Sequence, residues 1–247
     1  MQRPIVNLQS VADDTCWDCQ HNGPSVRQRL GTPAQAWRVR ELLTQDEVRT
    51  LHDFAQSHCQ TAVGLDGILS SDISCETVGS YRASAFAPGL AQRLWERLKK
   101  HPWPEEFGPN GHCDWDEHTR WRACGVNPLF RFIQYRPPQG RLIAHYDAPY
   151  VSSGQCRSLF SLLLYLSSHP TEGFTRFLHD AQDRVPFAQR DFSDWTRCAE
   201  PEEVLVACSA VRGDALVFEH RMLHDASTLT HGVKLVARSD ILFERVP

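Results

Sequence analysis

From residue 126 onward the chain alternates in character with a period of two, the pattern of strands with one buried face. In LFRFIQY (129–135), Leu129, Arg131, Ile133 and Tyr135 fall on one face. In SLFSLLLY (158–165), Leu159, Ser161, Leu163 and Tyr165 do the same. In GVKLVARSDI (232–241), Lys234, Val236, Arg238 and Asp240 point one way, and Val233, Leu235, Ala237 and Ile241 the other. Three charged residues on one face of a strand whose opposite face is apolar predict a polar cavity inside a barrel. Several short strands separated by Gly and Pro turns predict a double-sheet jelly roll, so the fold class is mainly β with flanking helices.

Upstream the period lengthens. Thr44-Gln45-Asp46-Glu47 reads as a capping box, and Leu51, Phe54 and Ala55 follow at helical spacing, which predicts a helix to about His58. A second helix fits residues 88–100, with Leu90, Leu94 and Leu98 on one stripe. The first 35 residues are polar and broken by Gly23-Pro24 and Gly31-Thr32-Pro33, and predict an irregular arm. The expected organisation is that arm followed by one domain over 36–247, with helical support at about 44–100 and a core at about 125–245. Residues 101–124, rich in Trp, Pro, Gly and His, read either as a lid lining a substrate mouth or as a loop packed by Trp103, Trp115 and Trp121.

Candidate chemistry concentrates in the β half. His145 and Asp147 stand at i and i+2, so a strand points both to one face. His224, from a distant strand, would complete a set of two histidines and one carboxylate, which leaves open positions on a bound Fe(II). A His-x-Asp pair is common by chance, and ordinary hydrogen bonding is the alternative for each residue. Lys234, ten residues past His224, supplies a fixed cation suited to a carboxylate-bearing co-substrate. The Cys16-x-x-Cys19 pair beside His21 lacks a second pair at a recognised spacing, so a zinc site and two ordinary thiols both stay open.

Two segments add context: NPLFRFIQYRPPQGRLIAHYD upstream, and RGDALVFEHRMLHDASTLTHGVKLVARSDILFER downstream. With Tyr135 and Gly140 ahead of His145, the strand ending in Tyr165, EGFTRF, Gly213-Asp214, His224 and Lys234, this order resembles the prolyl-4-hydroxylase-like Fe(II)/2-oxoglutarate dioxygenases over roughly residues 125–245. The resemblance implies a distorted double-stranded β-helix, cupin-like. It implies His145, Asp147 and His224 as iron ligands, with 2-oxoglutarate and O2 as co-substrates and succinate and CO2 as products. Lys234 matches the residue that binds the distal carboxylate of 2-oxoglutarate, Tyr165 one that hydrogen-bonds it, and Tyr135 one near its other end. For each tyrosine the alternative is a core ring with its hydroxyl held by backbone. Arg131 is expected to contact substrate and Arg238 the co-substrate, with a purely structural pairing of Arg238 to Asp240 as the alternative. His220, four residues before His224, reads as a supporting or exposed residue, not a ligand. A carboxylate at Asp147 argues against halogenation. Leu142 and Ala144 depart from the hydroxylase pattern and weaken a prolyl substrate.

Composition changes little. Of 247 residues, 41% are hydrophobic, enough for a sizeable core. A net charge of −4 gives no global field for nucleic acid or an anionic membrane, and no apolar leader or membrane span is visible, so a cytoplasmic location is expected. Nine cysteines at irregular spacing predict reduced thiols. Three readings follow. The first is a dioxygenase oxidising a C–H bond of a small molecule, such as an amino acid or secondary metabolite, by hydroxylation or desaturation. The second is the same chemistry on a protein or peptide side chain. The third is a non-catalytic jelly-roll binding module. Nucleic-acid and membrane partners are not expected, and the oligomeric state is left open.

Overall fold

The computed structural model describes residues 6–7, 27–30, 36–59, 61–62, 80–101, 120–138, 140–182, 185, 189 and 199–246. The arm reading over residues 1–5, 8–26 and 31–35, with Cys16, Cys19 and His21, and the reading of residues 102–119, with Trp103 and Trp115, lie outside the described residues. The strands are β1 (Val6–Asn7), β2 (Arg27–Arg29), β3 (Ala36–Val39), β4 (Thr61–Ala62), β5 (Ser80–Phe86), β6 (Arg120–Val126), β7 (Leu129–Tyr135), β8 (Gly140–His145), β9 (Val151–Ser153), β10 (Cys156–Tyr165), β11 (Thr175–Leu178), β12 (Val204–Cys208), β13 (Ala215–Glu219), β14 (His224–Leu229) and β15 (Lys234–Val246). The helices are α1 (Gln45–His58) and α2 (Pro88–Leu98).

Two sheets form the jelly roll. The larger, of eleven strands among the described residues, runs β1-β5-β7-β15-β10-β13-β3-β2, with β4, β6 and β9 added on β5, β15 and β10. The smaller runs β12-β11-β14-β8. The period-two reading fixes what each face does. Phe130, Phe132, Leu162, Leu164, Leu235 and Ala237 point outward to the helices, while Ile133, Tyr135, Leu163, Tyr165 and Val236 point inward between the sheets.

The helices cover the outer face of the larger sheet. The Thr44 hydroxyl accepts from Glu47 N–H and the Glu47 carboxylate accepts from Thr44 N–H, so the expected capping box starts α1. Leu51, Phe54 and Ala55 are buried, and Phe54 meets Phe132 of β7 with ring centroids 4.8 Å apart. Glu47 also accepts from Arg97 of α2 at 2.6 and 2.9 Å, which ties the two helices together. Helix α2 stops at Leu98, not at residue 100: Lys99 N–H still reaches the Trp95 carbonyl, but Lys100 and His101 N–H go only three residues back, to the Arg97 and Leu98 carbonyls, a tighter closing turn. None of the described helices is long and apolar enough to cross a membrane.

Two local features depart from plain alternation. The register of β10 against β15 shifts between Ser158 and Phe160, and the extra residue, Leu159, joins the outer core with Phe160 and not the inner face with Ser161 as the alternation predicts. Gly140, at the start of β8, lies against the chain it follows. A Cβ there would meet the Arg136 backbone N and O at 2.7 Å, so only glycine lets the chain fold this tightly as it crosses from β7 in the larger sheet to β8 in the smaller.

Candidate metal and anion site

The smaller sheet gathers the three candidate ligands. His145 ends β8 and His224 opens β14, and the two stand opposite each other in the antiparallel register. Asp147 lies just past the end of β8, where its N–H donates to the His220 carbonyl at 3.1 Å. That bond keeps the segment extended, so the i, i+2 spacing works as it would inside a strand. The ligand atoms of His145, Asp147 and His224 lie within 4.8 Å of one another. His145 Nε2 is 3.8 Å from Asp147 Oδ1, and His224 Nε2 is 3.7 Å from Asp147 Oδ2. Two atoms each about 2.1 Å from one ion can be at most about 4.2 Å apart, so both separations fit within a single coordination sphere.

The tautomers are set by the backbone. His145 Nδ1 is 2.8 Å from the Ile143 carbonyl, and His224 Nδ1 is 2.8 Å from the Met222 carbonyl. A carbonyl can only accept, so each Nδ1 carries the proton and each Nε2 turns its lone pair toward Asp147. Burial pushes the His145 imidazole down to about 3, so it stays neutral, as a ligand must. Burial alone would raise the Asp147 carboxyl, but the charge of the neighbouring Arg238 guanidinium outweighs it and holds the group well below the usual carboxylate range.

Asp147 is also braced from the larger sheet. Ser161 Oγ donates to Asp147 Oδ2, and Arg238 Nε lies 3.2 Å from the same oxygen. Behind Ser161 stands His220, with Nδ1 3.0 Å from Ser161 Oγ and Nε2 2.8 Å from Ser158 Oγ. The hydroxyl of Ser161 has one hydrogen, and Asp147 takes it. His220 Nδ1 therefore donates to Ser161, and His220 Nε2 accepts from Ser158. Burial lowers the His220 imidazole to about 3, which agrees with this neutral form. His220 is thus a buried support for Asp147 and lies outside the ligand cluster.

A cavity of about 190 Å³ runs from the three ligands to Lys234, between the sheets. Lys234 is 2% exposed, and its Nζ donates to the Gly173 carbonyl at 2.6 Å. Gly173 has φ +62°, and a Cβ there would press on Leu229 at 3.0 Å and on the Lys234 stem at 3.4 Å, so glycine is needed to present that carbonyl. No carboxylate of a described residue lies within ion-pair distance of Nζ. Asp225, on the same wall, is taken by Arg176 at 2.8 Å. Burial lowers the Lys234 ammonium to about 7, against a smaller opposing pull from Asp225. A buried cation held by one carbonyl is a ready partner for an anion entering the cavity.

The remaining expected residues divide. Tyr135 lines the cavity, its ring centroid 5.4 Å from Lys234 Nζ. Tyr165 sits behind Lys234, fully buried. Its hydroxyl donates to Thr175 Oγ1 at 2.9 Å, and it is Thr175 that forms the wall where Tyr165 was expected. Arg238 donates to Asp240 at 3.2 Å and braces Asp147, so the structural pairing left open in the sequence is present. Arg131 lines the cavity from the neighbouring strand. Sequence reasoning missed Thr175, Asp225 and the part played by Ser161. Ser161 carried a signal, a polar residue at an inward position of an otherwise apolar strand. For His220 the sequence left support and exposure both open, because its direction is set by the turn between β13 and β14, and the structure shows the support.

No family model matches the chain, and no curated protein matches it by sequence. Solved prolyl hydroxylases and other α-ketoglutarate-dependent enzymes match it in structure at low identity. A viral collagen prolyl hydroxylase from Paramecium bursaria Chlorella virus-1, in complex with 2-oxoglutarate, is 14% identical over 85% of this chain and 95% of its own, with a TM-score of 0.45. HygX from Streptomyces hygroscopicus, with nickel and 2-oxoglutarate bound, is 11% identical over 85% and 83%, with a TM-score of 0.48. The epimerase SnoN, in complex with Fe3+, α-ketoglutarate and nogalamycin RO, is 14% identical over 85% and 78%, with a TM-score of 0.49.

Proposed function

We propose that this protein is an Fe(II)- and 2-oxoglutarate-dependent dioxygenase that oxidises a C–H bond of a small molecule, most simply by hydroxylation, with succinate and CO2 as co-products. The observation that carries this reading is one cavity with two carbonyl-oriented imidazoles and a braced carboxylate at one end and a buried lysine without a carboxylate partner among the described residues at the other.

His145, Asp147 and His224 would hold the iron. Two imidazoles and one carboxylate suit Fe(II) and leave positions for a chelating co-substrate and O2. When bound, the metal and 2-oxoglutarate supply the oxidative decarboxylation that turns O2 into an oxidant of C–H bonds. The chain does the rest. The Ile143 and Met222 carbonyls orient the imidazoles, while Ser161 and Arg238 fix the Asp147 carboxylate. Lys234 and Thr175 receive the distal carboxylate, and the apolar wall of Leu142, Ile133 and Val236 excludes water from it. A carboxylate at Asp147 occupies the position a halide would need, so the product is oxygenated or desaturated and not halogenated.

The test is consumption of 2-oxoglutarate by the purified protein with Fe(II) and O2, followed as succinate. Wild type should turn over slowly without added substrate and faster with the right one. His224→Ala should lose tight metal binding and turnover together. Wild-type iron affinity in that variant, or no 2-oxoglutarate binding by the metal-loaded wild type, would sink the reading.

A further inference from the structure

The arginines on the inner face of β7 and β15 are neighbours in register, Arg131 opposite Arg238, yet they are in different states. Arg238 is committed. It bonds Ser161 at 3.4 Å and Asp240 at 3.2 Å, and pairs with Asp147. Arg131 is not committed. No hydrogen bond joins its guanidinium to a described residue, and its Nη1 is buried without one. Asp240 approaches Nη1 only to 3.7 Å, beyond hydrogen-bond distance. Asp240 itself is held by Asn127 Nδ2 at 3.1 Å and by Arg238, so the network behind Arg131 is complete without it. The Arg131 side chain keeps 37% of its surface open, and it lies on the cavity wall.

A guanidinium offers five donors in a planar fork; with Nη1 buried toward Asp240, the donors on its remaining nitrogens are open to a ligand. The charges around the cavity say which ligand. The iron and the 2-oxoglutarate dianion cancel, and so do Arg176 and Asp225. Three cations, Lys234, Arg131 and Arg238, then face two carboxylates, Asp147 and Asp240, so the loaded cavity keeps one positive charge that a monoanionic ligand would neutralise. Arg131 is the cation on the wall beside the ligand cluster that no hydrogen bond ties to a described residue.

Resting on the dioxygenase reading above, we propose that the substrate is a carboxylate-bearing small molecule and that Arg131 binds its carboxylate through the guanidinium fork. Arg131 is then a specificity-determining residue. It selects acids over their neutral analogues and fixes which end of the substrate faces the metal. Lys234 serves the co-substrate and Arg131 the substrate, so the two anions do not compete for one cation.

Matched pairs test this. Nickel-loaded protein, with and without saturating 2-oxoglutarate, is screened by thermal shift against the proteinogenic L-amino acids and straight-chain monocarboxylic acids, each beside its primary amide. The iron-loaded protein is screened with the same pairs for stimulated succinate formation. At least one acid should stabilise wild type and stimulate turnover while its amide does neither. Arg131→Gln should weaken that acid by roughly 30-fold or more, with 2-oxoglutarate affinity within about threefold of wild type. Arg131→Lys, which keeps the charge but loses the fork, should recover part of the loss. The proposal is overturned if amides act as well as acids, if no acid acts on wild type, or if Arg131→Gln weakens 2-oxoglutarate instead. Running the acids without 2-oxoglutarate keeps the Arg131 assignment readable even if co-substrate binding fails.

Discussion

The two sheets that wall the cavity handle polar groups in opposite ways. The smaller sheet brings in imidazole nitrogens. His145 and His224 face each other across one pair of strands, and backbone carbonyls two residues away fix both rings. Everything that orients them is local. The larger sheet brings in cations, and their partners come mostly from other segments or are missing. Arg238 finds Asp147 and Asp240, whereas Lys234 finds only the Gly173 carbonyl and Arg131 finds no hydrogen bond among the described residues. Burying a charge without a partner is costly, so such positions persist where a ligand completes them. The comparison separates a metal end built to be complete before the ion arrives from an anion end built to be completed by what binds.

Removing the cation should break the anion end alone. Lys234→Ala should weaken 2-oxoglutarate by about 100-fold or more, from a loss of about 3 kcal/mol at a buried charge, with metal affinity nearly unchanged. Titrating the metal-loaded variant checks this, and an unchanged dissociation constant would make Lys234 a structural lysine.

The same contrast should appear with pH. Burial lowers Lys234 from its ordinary 10.5 to about 7 in the free protein, while an anion beside it favours the charged form. Below about 7 the ammonium is already present and 2-oxoglutarate affinity should be flat. Above it each binding event must take up a proton, so the dissociation constant should rise by up to about tenfold per pH unit. For stability the sign is the reverse of that for a paired lysine. The neutral form folds without penalty above the unfolded value, and stability is lost as pH falls from 10.5 toward 7. Bound 2-oxoglutarate should therefore raise the melting temperature more at pH 7 than at pH 9. Calorimetry in two buffers of different ionisation enthalpy reads the proton uptake directly.

At the metal end, Ser161→Ala removes the hydroxyl that links Asp147 to His220. Supports of this kind typically change metal affinity by 10- to 100-fold, and a loss of about tenfold is expected with 2-oxoglutarate affinity on the loaded protein preserved. Anaerobic metal titration checks it. Equal losses at both ends would mean that the two sheets are not independent.

Tyr165→Phe should have the smallest effect. Its hydroxyl bonds Thr175 and not the cavity, so deleting it should cost about 1 kcal/mol of stability and change 2-oxoglutarate affinity by less than about fivefold. A loss of tenfold or more would restore the direct contact expected from the sequence, with Thr175 displaced on binding.

Much of this was legible before the fold. The capping box at Thr44 marked where α1 starts, and the alternation in β7 and β15 sorted inward from outward residues correctly. The spacing of His145, Asp147, His224 and Lys234 named the residues that the fold gathers around one cavity. Leu159 was misplaced because a one-residue bulge flips a side chain without leaving a mark in composition. The end of α2 was misplaced by two residues because nothing after Leu98 forbids another turn.

What the sequence by itself determined is periodicity and inventory: which elements form, which faces are apolar, and which side chains can bind a metal or an anion. These follow from local spacing and side-chain chemistry. What only the tertiary structure decided is partnership. Arg131 and Arg238 have the same chemistry and share an inward face, yet one is consumed by Asp147 and Asp240 and the other is left open. Thr175, which the sequence did not single out, lines the cavity and takes the Tyr165 hydroxyl, and His220 becomes a support through two serines that precede it by about sixty residues. The reason is physical. A hydrogen bond or ion pair depends on distances of a few tenths of an ångström between atoms on different strands, and that separation is set by how the sheets pack.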